Sequence, residues 1–392
     1  MIESPPLGRT LRTHMAQAKN NDIQCLRAIA IVLVVMQHMR ARLPTPEWYA
    51  TLFTHVAFWP GVDIFFAISG FLICKTLLRD LENGPSKREA LAGFWLRRVV
   101  RLLPTATFWC IASVAISFFT KSVVGAEPAK VALSAATGIL GISNGYWAMC
   151  VQAASNACGS ADFNGVTWSL SLEWQLYSLL TILVCAAGRR WAAAMLLSAA
   201  VVMAFFPGPS FSFIWAFRLQ AFTLGVIAFL LYERSPRIAA TVPPALSLTM
   251  LIAGITLCLT APVVLPQPFV LPLIAVGAGL CLAAAVPGQM FSNFGIAAPM
   301  RWVGERSYSI YLCHLPMILV TREIVSRANG LQPSSTNVMQ AFILFICLLA
   351  VASEISYRMI EIRFQHLARQ SFPRWFTGTG VGIGDLPTTL KK

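Results

Sequence analysis

The sequence predicts an all-α polytopic membrane protein with about ten transmembrane helices and with its N-terminus and C-terminus in the cytoplasm. Hydrophobic residues make up 57% of the 392 residues, and charged residues make up only 12%. The mean hydropathy is +0.67. A soluble domain of this size could not bury so much apolar surface. The apolar runs are long and lack an alternation of period two, which excludes a β-barrel and a soluble α/β enzyme.

Ten apolar segments of about 20 residues, the length that crosses a bilayer, can be drawn along the chain. They lie near 23–43, 59–78, 102–120, 168–187, 191–206, 211–232, 243–261, 269–286, 306–325 and 336–360. The predicted organisation is a cytoplasmic tail over 1–22, a transmembrane domain over 23–363 and a second cytoplasmic tail over 364–392.

The basic residues set the predicted orientation. With the N-terminus inside, most of the 30 lysines and arginines fall on the cytoplasmic side, as the positive-inside rule requires. The net charge of +14 therefore reflects topology, and no nucleic-acid partner is expected. The first apolar run has no small-residue cleavage site and is followed by further spans, so we interpret it as a span and not as a signal peptide.

One further segment, Val131–Met149, is apolar enough to insert but contains three glycines and an asparagine. Counting it as a span would place Arg189 and Arg190 outside. We interpret it as an interfacial or re-entrant part of a large outer loop. Cys150 and Cys158 lie in that loop, where an oxidising compartment would favour a disulfide between them. No metal site is expected there, because no histidine or paired carboxylate accompanies the two thiols.

Two cations share one face of the first predicted span. Arg27 and His38 are eleven residues apart, which is about 1100° of helical rotation and within roughly 20° of three whole turns. They are separated by about 16 Å along the axis at 1.5 Å per residue. Ionisable groups within a membrane are costly and usually functional. The pair therefore suggests two positions on one path across the membrane.

Other polar residues are predicted at the depth of His38. Asp63 lies near the outer end of the second span, Glu173 about one and a half turns into the fourth, and Arg218 about two turns into the sixth. A histidine with a buried carboxylate partner can act as a general base near neutral pH. An ion pair of a carboxylate with Arg218, or a polar cap at a helix start, is an alternative that the sequence leaves open.

A cluster of arginines precedes the third span. Arg98 and Arg101 are spaced i,i+3 and project from one helix face, with Arg97 beside them. The guanidinium fork suits recognition of phosphate oxygens. Positive-inside anchoring is the alternative, but Arg27 at the same depth favours phosphate binding.

The ninth span begins with a run of polar side chains. Ser307, Tyr308, Tyr311 and His314 lie on its first turns, and Pro316 is expected to kink the helix. The polar wall of a donor cavity and a hydrogen-bond network between packed helices fit this pattern equally well. The sequence contains no Walker A loop, Gly-x-Ser-x-Gly elbow or His-Glu-x-x-His motif.

At these residues the chain resembles the acyltransferase 3 family of membrane enzymes, which acylate surface polysaccharides, lipid-linked sugars and related acceptors. The matching residues are 26–30 with His38, 61–66 with 69–71, Arg98 and Arg101 with Pro104, Trp168 and Ser171 with Glu173, Arg218 and Phe222 with Gly225, and Ser307, Tyr308, Tyr311, His314 and Pro316. They follow the family's order over about residues 23–360. Trp174 and Cys313 depart from residues frequent in the family, which affects local packing more than chemistry.

The resemblance implies about ten helices, acyl-CoA bound from the cytoplasmic side and an essential histidine at His38. The predicted catalytic residues are His38, Asp63 and Glu173. The predicted donor-binding residues are Arg27, Arg98, Arg101, Ser307, Tyr308, Tyr311 and His314. The predicted saccharide-binding residues are Arg218, Trp168 and Ser171. No permanently bound cofactor and no metal are expected, with acyl-CoA serving as a co-substrate.

The predicted function is O-acylation at the bacterial cytoplasmic (inner) membrane. An acyl group, with acetyl favoured, is expected to pass from cytosolic acyl-CoA to a hydroxyl of an extracytoplasmic polysaccharide or lipid-linked saccharide. A proton-coupled saccharide transporter and a component of a saccharide export complex are the alternatives, because intramembrane charges also mark transport pathways. No symmetric pair of broken helices is visible, which weakens the transporter interpretation.

Overall fold

The computed structural model describes residues 20–120, 126–154, 158–236, 241–291, 297–329 and 337–375. Within these ranges the regular structure is helical and includes no strand. Seven of the described helices are long and apolar enough to cross a membrane. The helical membrane class is therefore confirmed, while the count of ten spans and the cytoplasmic placement of both termini remain predictions. Most of the two predicted tails, 1–22 and 364–392, lies outside the described residues.

Fifteen α-helices are found in the described residues. They are α1 (Asn21–Met39), α2 (Glu47–Leu52), α3 (Gly61–Asn83), α4 (Lys87–Phe119), α5 (Pro128–Ile139), α6 (Ser143–Gln152), α7 (Thr167–Met203), α8 (Phe213–Ala216), α9 (Gln220–Arg234), α10 (Pro244–Val264), α11 (Val270–Ala285), α12 (Ala297–Glu305), α13 (Ser307–Asn329), α14 (Val338–Ser356) and α15 (Arg363–Ser371). A π-helical turn, Tyr357–Ile362, joins α14 to α15.

The seven candidate spans correspond only partly to the ten predicted ones. The predicted fourth and fifth spans are two arms of α7, separated by Gly188 in a left-handed conformation with φ 79°. The predicted eighth span is α11, which is only 16 residues long. The predicted ninth span, α13, is not among the seven, because polar side chains interrupt its apolar sequence. That helix is nevertheless almost wholly buried among the others.

The uncertain segment Val131–Met149 forms parts of two short helices. Helices α5 and α6 have 12 and 10 residues. Gly141 lies between them with φ 72°, a backbone conformation that interrupts the helix. Neither is long enough to cross a bilayer alone. The predicted disulfide between Cys150 and Cys158 is confirmed, and it joins the end of α6 to the segment that leads into α7.

Helix α1 is anchored at its N-terminal end by two polar side chains. The Asn20 side chain caps the first turn and donates to the carbonyl of Ala285 at 3.1 Å. The fully buried carboxylate of Asp22 accepts hydrogen bonds from the amides of Met290 and Phe291 at 2.6 and 3.1 Å. These bonds satisfy backbone groups that helix ends and turns leave open. They therefore fix the position of α1, which carries Arg27 and His38.

Helices α3 and α9 pack with their backbones in direct contact. A Cβ atom at Gly70 would lie 2.1 Å from the carbonyl oxygen of Phe222, and one at Gly225 would lie 2.0 Å from that of Ala67. Only glycine fits at either position, since the obstructing atoms belong to the backbone. The contact brings the helix that carries Asp63 against the segment that carries Arg218.

The substitution Gly70→Ala is expected to destabilise the protein strongly. A methyl group there must separate α3 from α9. Overpacking usually lowers the free energy of unfolding by about 1–3 kcal/mol, and we expect a loss of at least this size. Thermal unfolding in detergent micelles measures the loss. Gly279→Ala is the matched control, because its Cβ would meet nothing closer than a leucine side-chain atom at 3.4 Å. Equal stability of the two variants would show that the close packing of α3 and α9 is wrong.

Candidate active site

A cavity lies between α1, α3, α4, α7 and α13 and holds about 860 Å³ of empty space, including its open mouth. Seven of the residues predicted from the sequence to form the site line it. They are Arg27, Arg98, Arg101, Glu173, Ser307, Tyr308 and Tyr311. Further polar side chains in the lining are Ser69, Ser169 and Tyr177. One enclosure therefore gathers side chains that are 280 residues apart in the chain, such as Arg27 and Ser307.

The cavity has an excess of positive charge. The Arg27 Nε donates to Ser307 Oγ at 3.1 Å, and the Arg98 guanidinium lies 4.7 Å from the centre of the Phe94 ring. Neither these two arginines nor Arg101 forms an ion pair within the described part of the chain. Glu173 is the one carboxylate in the lining. The buried carboxylate of Glu361, outside the lining, also acts on Arg27. The three guanidinium groups still outnumber these two carboxylates, which favours an anionic ligand, and their planar forks suit phosphate oxygens.

The three arginines that lie about three to four turns into α4 make two different kinds of contact. Arg97 forms an ion pair with Asp80 on α3 and donates to the carbonyl of Trp375 near the end of the described chain. Arg98 and Arg101 line the cavity instead. The i,i+3 spacing places these two on one face, as expected, while Arg97 points to the neighbouring helix.

Glu173 lies in the cavity and not beside His38, where the sequence analysis placed it. Its carboxylate accepts short hydrogen bonds from the hydroxyls of Ser69 and Tyr177. Tyr177 is four residues after Glu173 on α7, so the two share one helix face. That spacing is a signal the sequence analysis missed, and it would have identified Tyr177 as a member of the site.

A pair of histidines lies one helical turn from Tyr311 of the cavity lining. The Nε2 of His314 on α13 is 3.1 Å from the Nδ1 of His38 on α1, and the ring centroids are 5.0 Å apart. His314 is fully buried, and its Nδ1 is 3.2 Å from the carbonyl oxygen of Ile310. The sequence grouped His314 with the donor-binding residues. The structure places it outside the cavity lining and against His38, because it follows Tyr311 by one turn on the face turned to α1.

Two tyrosines of α13 both form part of the cavity wall and take part in hydrogen bonds between packed helices, the two arrangements that the sequence left open. The Tyr308 hydroxyl donates to the carbonyl of Leu102 at 2.6 Å. The Tyr311 hydroxyl is 2.6 Å from that of Ser169 and also donates to the carbonyl of Val166 at 3.1 Å. Both side chains therefore line the cavity and also join α13 to α4 and to the start of α7.

Asp63 has a different partner from the one expected. The sequence suggested that it orients His38, but its two carboxylate oxygens accept from the Arg218 guanidinium at 2.9 and 3.1 Å. Both side chains are buried, with 2% of Arg218 and 4% of Asp63 exposed. The alternative ion pair is thus the arrangement observed. Asp63 turns to Arg218 because the close contact of α3 with α9 holds the two segments together.

Arg218 and Trp168, both expected to contact the saccharide, lie in a closed aromatic box. The Arg218 guanidinium lies between 4.3 and 5.7 Å from the centres of four rings, which belong to Trp59, Phe66, Trp168 and Trp215. Ser171, the third expected contact, is fully buried and accepts a hydrogen bond from the Ser143 amide at 3.0 Å, at the start of α6. These contacts satisfy the polar groups of Arg218 and Ser171 without a ligand.

The outer end of α1 is held by polar contacts that the sequence analysis did not identify. The Gln37 Oε1 accepts from the amides of Phe58 and Trp59 at 3.0 and 3.1 Å, just before α3 begins. The Tyr49 hydroxyl donates to the carbonyl of Met36. Burial raises the pKa of Tyr49 to about 12, so this phenol stays protonated and can donate. The turn of α1 that carries His38 is therefore fixed on both sides.

Replacement of Arg218 by alanine is expected to destabilise the protein by about 3–5 kcal/mol, because it leaves the Asp63 carboxylate buried without its partner. Thermal unfolding in detergent micelles measures this loss. Arg189→Ala is the control, since Arg189 pairs with Glu233 at 2.9 Å but is 46% exposed. That exposed pair should contribute only about 0–1 kcal/mol. A stable Arg218→Ala protein would contradict a structural role for the ion pair.

The family model for acyltransferase 3, described as an acyltransferase domain, matches residues 20–356. No solved structure matches the chain at a significant level.

Several curated relatives are similar to most of the chain. The peptidoglycan O-acetyltransferase OatA of Listeria monocytogenes is 28% identical over 91% of this chain and 57% of its own length. The O-acetyltransferase OatA of Staphylococcus aureus is 25% identical over 86% of this chain and 55% of its own. The putative peptidoglycan O-acetyltransferase YrhL of Bacillus subtilis is 25% identical over 89% and 55%. The chain thus spans about half the length of these relatives.

Proposed function

The chain belongs to the acyltransferase 3 family, and on this premise we propose that it is a membrane O-acetyltransferase. In this proposal it transfers an acetyl group from cytosolic acetyl-CoA to a hydroxyl of an extracytoplasmic glycan, in the cytoplasmic membrane of a bacterium. The relatives are named as O-acetyltransferases, and the name of the Listeria monocytogenes relative specifies peptidoglycan, which supports acetyl as the group transferred and a cell-surface glycan as the acceptor.

One observation carries the proposal. Three arginines without ion-pair partners within the described residues line a cavity that also includes Tyr311, and Tyr311 is one helical turn from His314 of the His38–His314 pair. A cavity that combines guanidinium groups with a nearby imidazole suits a long substrate with phosphates at one end and a reactive group at the other. An acyl-CoA has this form.

Arg98 and Arg101, with Arg27, would hold the phosphates of the donor. They lie about three to four turns into α4 and in α1, on the side that the distribution of basic residues predicts to be cytoplasmic. Their cavity has no competing ion pair within the described residues, so the guanidinium groups are free to bind phosphate oxygens in a forked geometry. The apolar lining at Phe65, Phe66 and Leu72 would accept the arm of the donor.

His38 would act as the general base. Its ring takes the proton from the acceptor hydroxyl while that oxygen attacks the thioester carbonyl. The carbon–sulfur bond then breaks, an ester forms, and the thiolate that leaves takes the proton back from His38 as a thiol. Direct attack requires one base and no covalent intermediate on the protein.

Purified protein in vesicles, supplied with radiolabelled acetyl-CoA and a cell-wall glycan fragment on the opposite side, tests the proposal. Label on the glycan is the expected result. Movement of the glycan without label would support the transporter interpretation instead and overturn this one.

Arg98→Ala and Arg101→Ala are each expected to weaken acetyl-CoA binding by roughly ten- to a hundredfold. Each removes a charge-assisted contact worth about 1.5–3 kcal/mol, and about 1.4 kcal/mol corresponds to tenfold. A high donor concentration should restore part of the activity. Arg190→Ala is the matched control, because it removes an exposed arginine on the same predicted side but outside the cavity. Equal effects of the three substitutions would show that the general loss of positive charge, and not donor binding by Arg98 and Arg101, weakens the affinity.

His38→Ala is expected to lower the turnover number by about 10²–10⁴-fold, the usual contribution of a general base. Acetyl-CoA affinity should change little, and added donor should not restore turnover. His55→Ala serves as the control, since His55 is exposed on the segment after α2. Near-normal turnover of His38→Ala, or loss of donor binding by a folded variant, would refute the assignment of His38 as the base.

A further inference from the structure

A continuous chain of hydrogen bonds leads from the backbone of α13 to His38. The carbonyl oxygen of Ile310 is 3.2 Å from His314 Nδ1, and His314 Nε2 is 3.1 Å from His38 Nδ1. A neutral imidazole has one N–H donor and one acceptor nitrogen. Fixing the proton on one ring therefore fixes it on the next.

The direction of donation along these hydrogen bonds follows from the carbonyl oxygen of Ile310. A carbonyl oxygen can only accept, so His314 must carry its proton on Nδ1. The Nε2 of a neutral His314 is then an acceptor, and His38 must donate to it from Nδ1. The Nε2 of His38 is left with a free lone pair.

His314 is held in the neutral form by its surroundings. It is fully buried and no carboxylate contacts it within the described residues. The charged side chain beside the pair is Arg42, whose Nη1 donates to the carbonyl of His38 at 3.3 Å and which is also paired with Asp162. A second positive charge on a buried ring near a guanidinium would be costly.

We infer that His314 is the positioning residue of His38: by accepting from Nδ1 it fixes the tautomer and orientation in which Nε2 is the base. In many enzymes a carboxylate orients the catalytic histidine. Here Asp63 is occupied by Arg218, and Glu173 is occupied by Ser69 and Tyr177, so neither carboxylate serves His38. The catalytic meaning of this inference rests on the proposed function, whereas the tautomer itself does not.

The replacement of a carboxylate by a neutral imidazole has a chemical consequence. When His38 Nε2 takes the proton of the acceptor hydroxyl, the Nδ1 proton stays hydrogen-bonded to a neutral nitrogen. The imidazolium receives less stabilisation than an anion would give. Release of the Nε2 proton to the leaving thiolate, which restores the starting state of both rings, is therefore favoured.

Nitrogen NMR of protein labelled with ¹⁵N-histidine, in lipid nanodiscs without substrate, tests the tautomer. The His38 signals are identified by their loss in His38→Ala. We expect a protonated Nδ1 and an unprotonated Nε2 for His38 in the unsubstituted protein and in His314→Gln, whose side-chain oxygen can accept from Nδ1. His314→Leu should give a mixture of tautomers. A folded His314→Leu protein that keeps only Nδ1 protonated would show that the Val34 carbonyl, the other backbone partner of the His38 ring, fixes the tautomer, and it would overturn the positioning role of His314. A His38 protonated on Nε2 in the unsubstituted protein would overturn the inference, even if His314→Leu fails to fold.

Kinetics test whether the tautomer matters for transfer. His314→Leu should lower the turnover number by about 100-fold or more with little change in the KM for acetyl-CoA, while His314→Gln should stay within about tenfold of the unsubstituted protein. In the His38→Ala background, His314→Leu should cause no further loss, because His314 acts only through His38. Independent, multiplying losses would overturn the positioning role. If no transfer is seen with any protein, the proposed function fails while the NMR result still decides the tautomer.

Discussion

Within a bilayer, polar groups must find their partners inside the protein, and this constraint divides the intramembrane charges of the chain into two classes. Arg218 and Asp63 neutralise each other in a box of aromatic rings and leave nothing for a ligand. Arg27, Arg98 and Arg101 keep their positive charge in a cavity with an open mouth. The first class holds the helices together, and the second leaves an excess of positive charge in the cavity. The partner of a charged side chain must be known before the charge can be assigned to one of the two classes, because burial alone does not distinguish the two classes.

The features that could be predicted from the sequence are those that depend on local composition and spacing. Apolar length predicted the helical membrane class, the i,i+3 spacing placed Arg98 and Arg101 in one cavity, and loop composition predicted the Cys150–Cys158 disulfide. The choice of partners could not be predicted. Asp63, Glu173, His38 and Arg218 were expected at similar depth, and depth says nothing about which helix lies beside which. The glycine contact of α3 with α9 settles that question in favour of Asp63 with Arg218.

The same limit explains why the sequence did not predict the contact of His314 with His38. Its three-residue spacing from Tyr311 suggested a common cavity wall, yet a step of three residues on a helix is about 300°, which is enough to turn a side chain past a boundary. Tyr311 faces the cavity and His314 faces α1. Likewise, Asn20 is recognisable as a helix cap, but its bond to a carbonyl 265 residues away is not.

Because Asp22 anchors one end of α1, the helix holds the side chains it carries at fixed distances from one another. Arg27 and His38 lie about 16 Å apart along this anchored helix at 1.5 Å per residue, and they would hold the donor phosphates and act as the base. Under the proposed function α1 is thus a ruler for the donor. The reach of the arm between phosphate and thioester, and not the identity of its terminal group alone, would decide which carriers deliver their acyl group to the base.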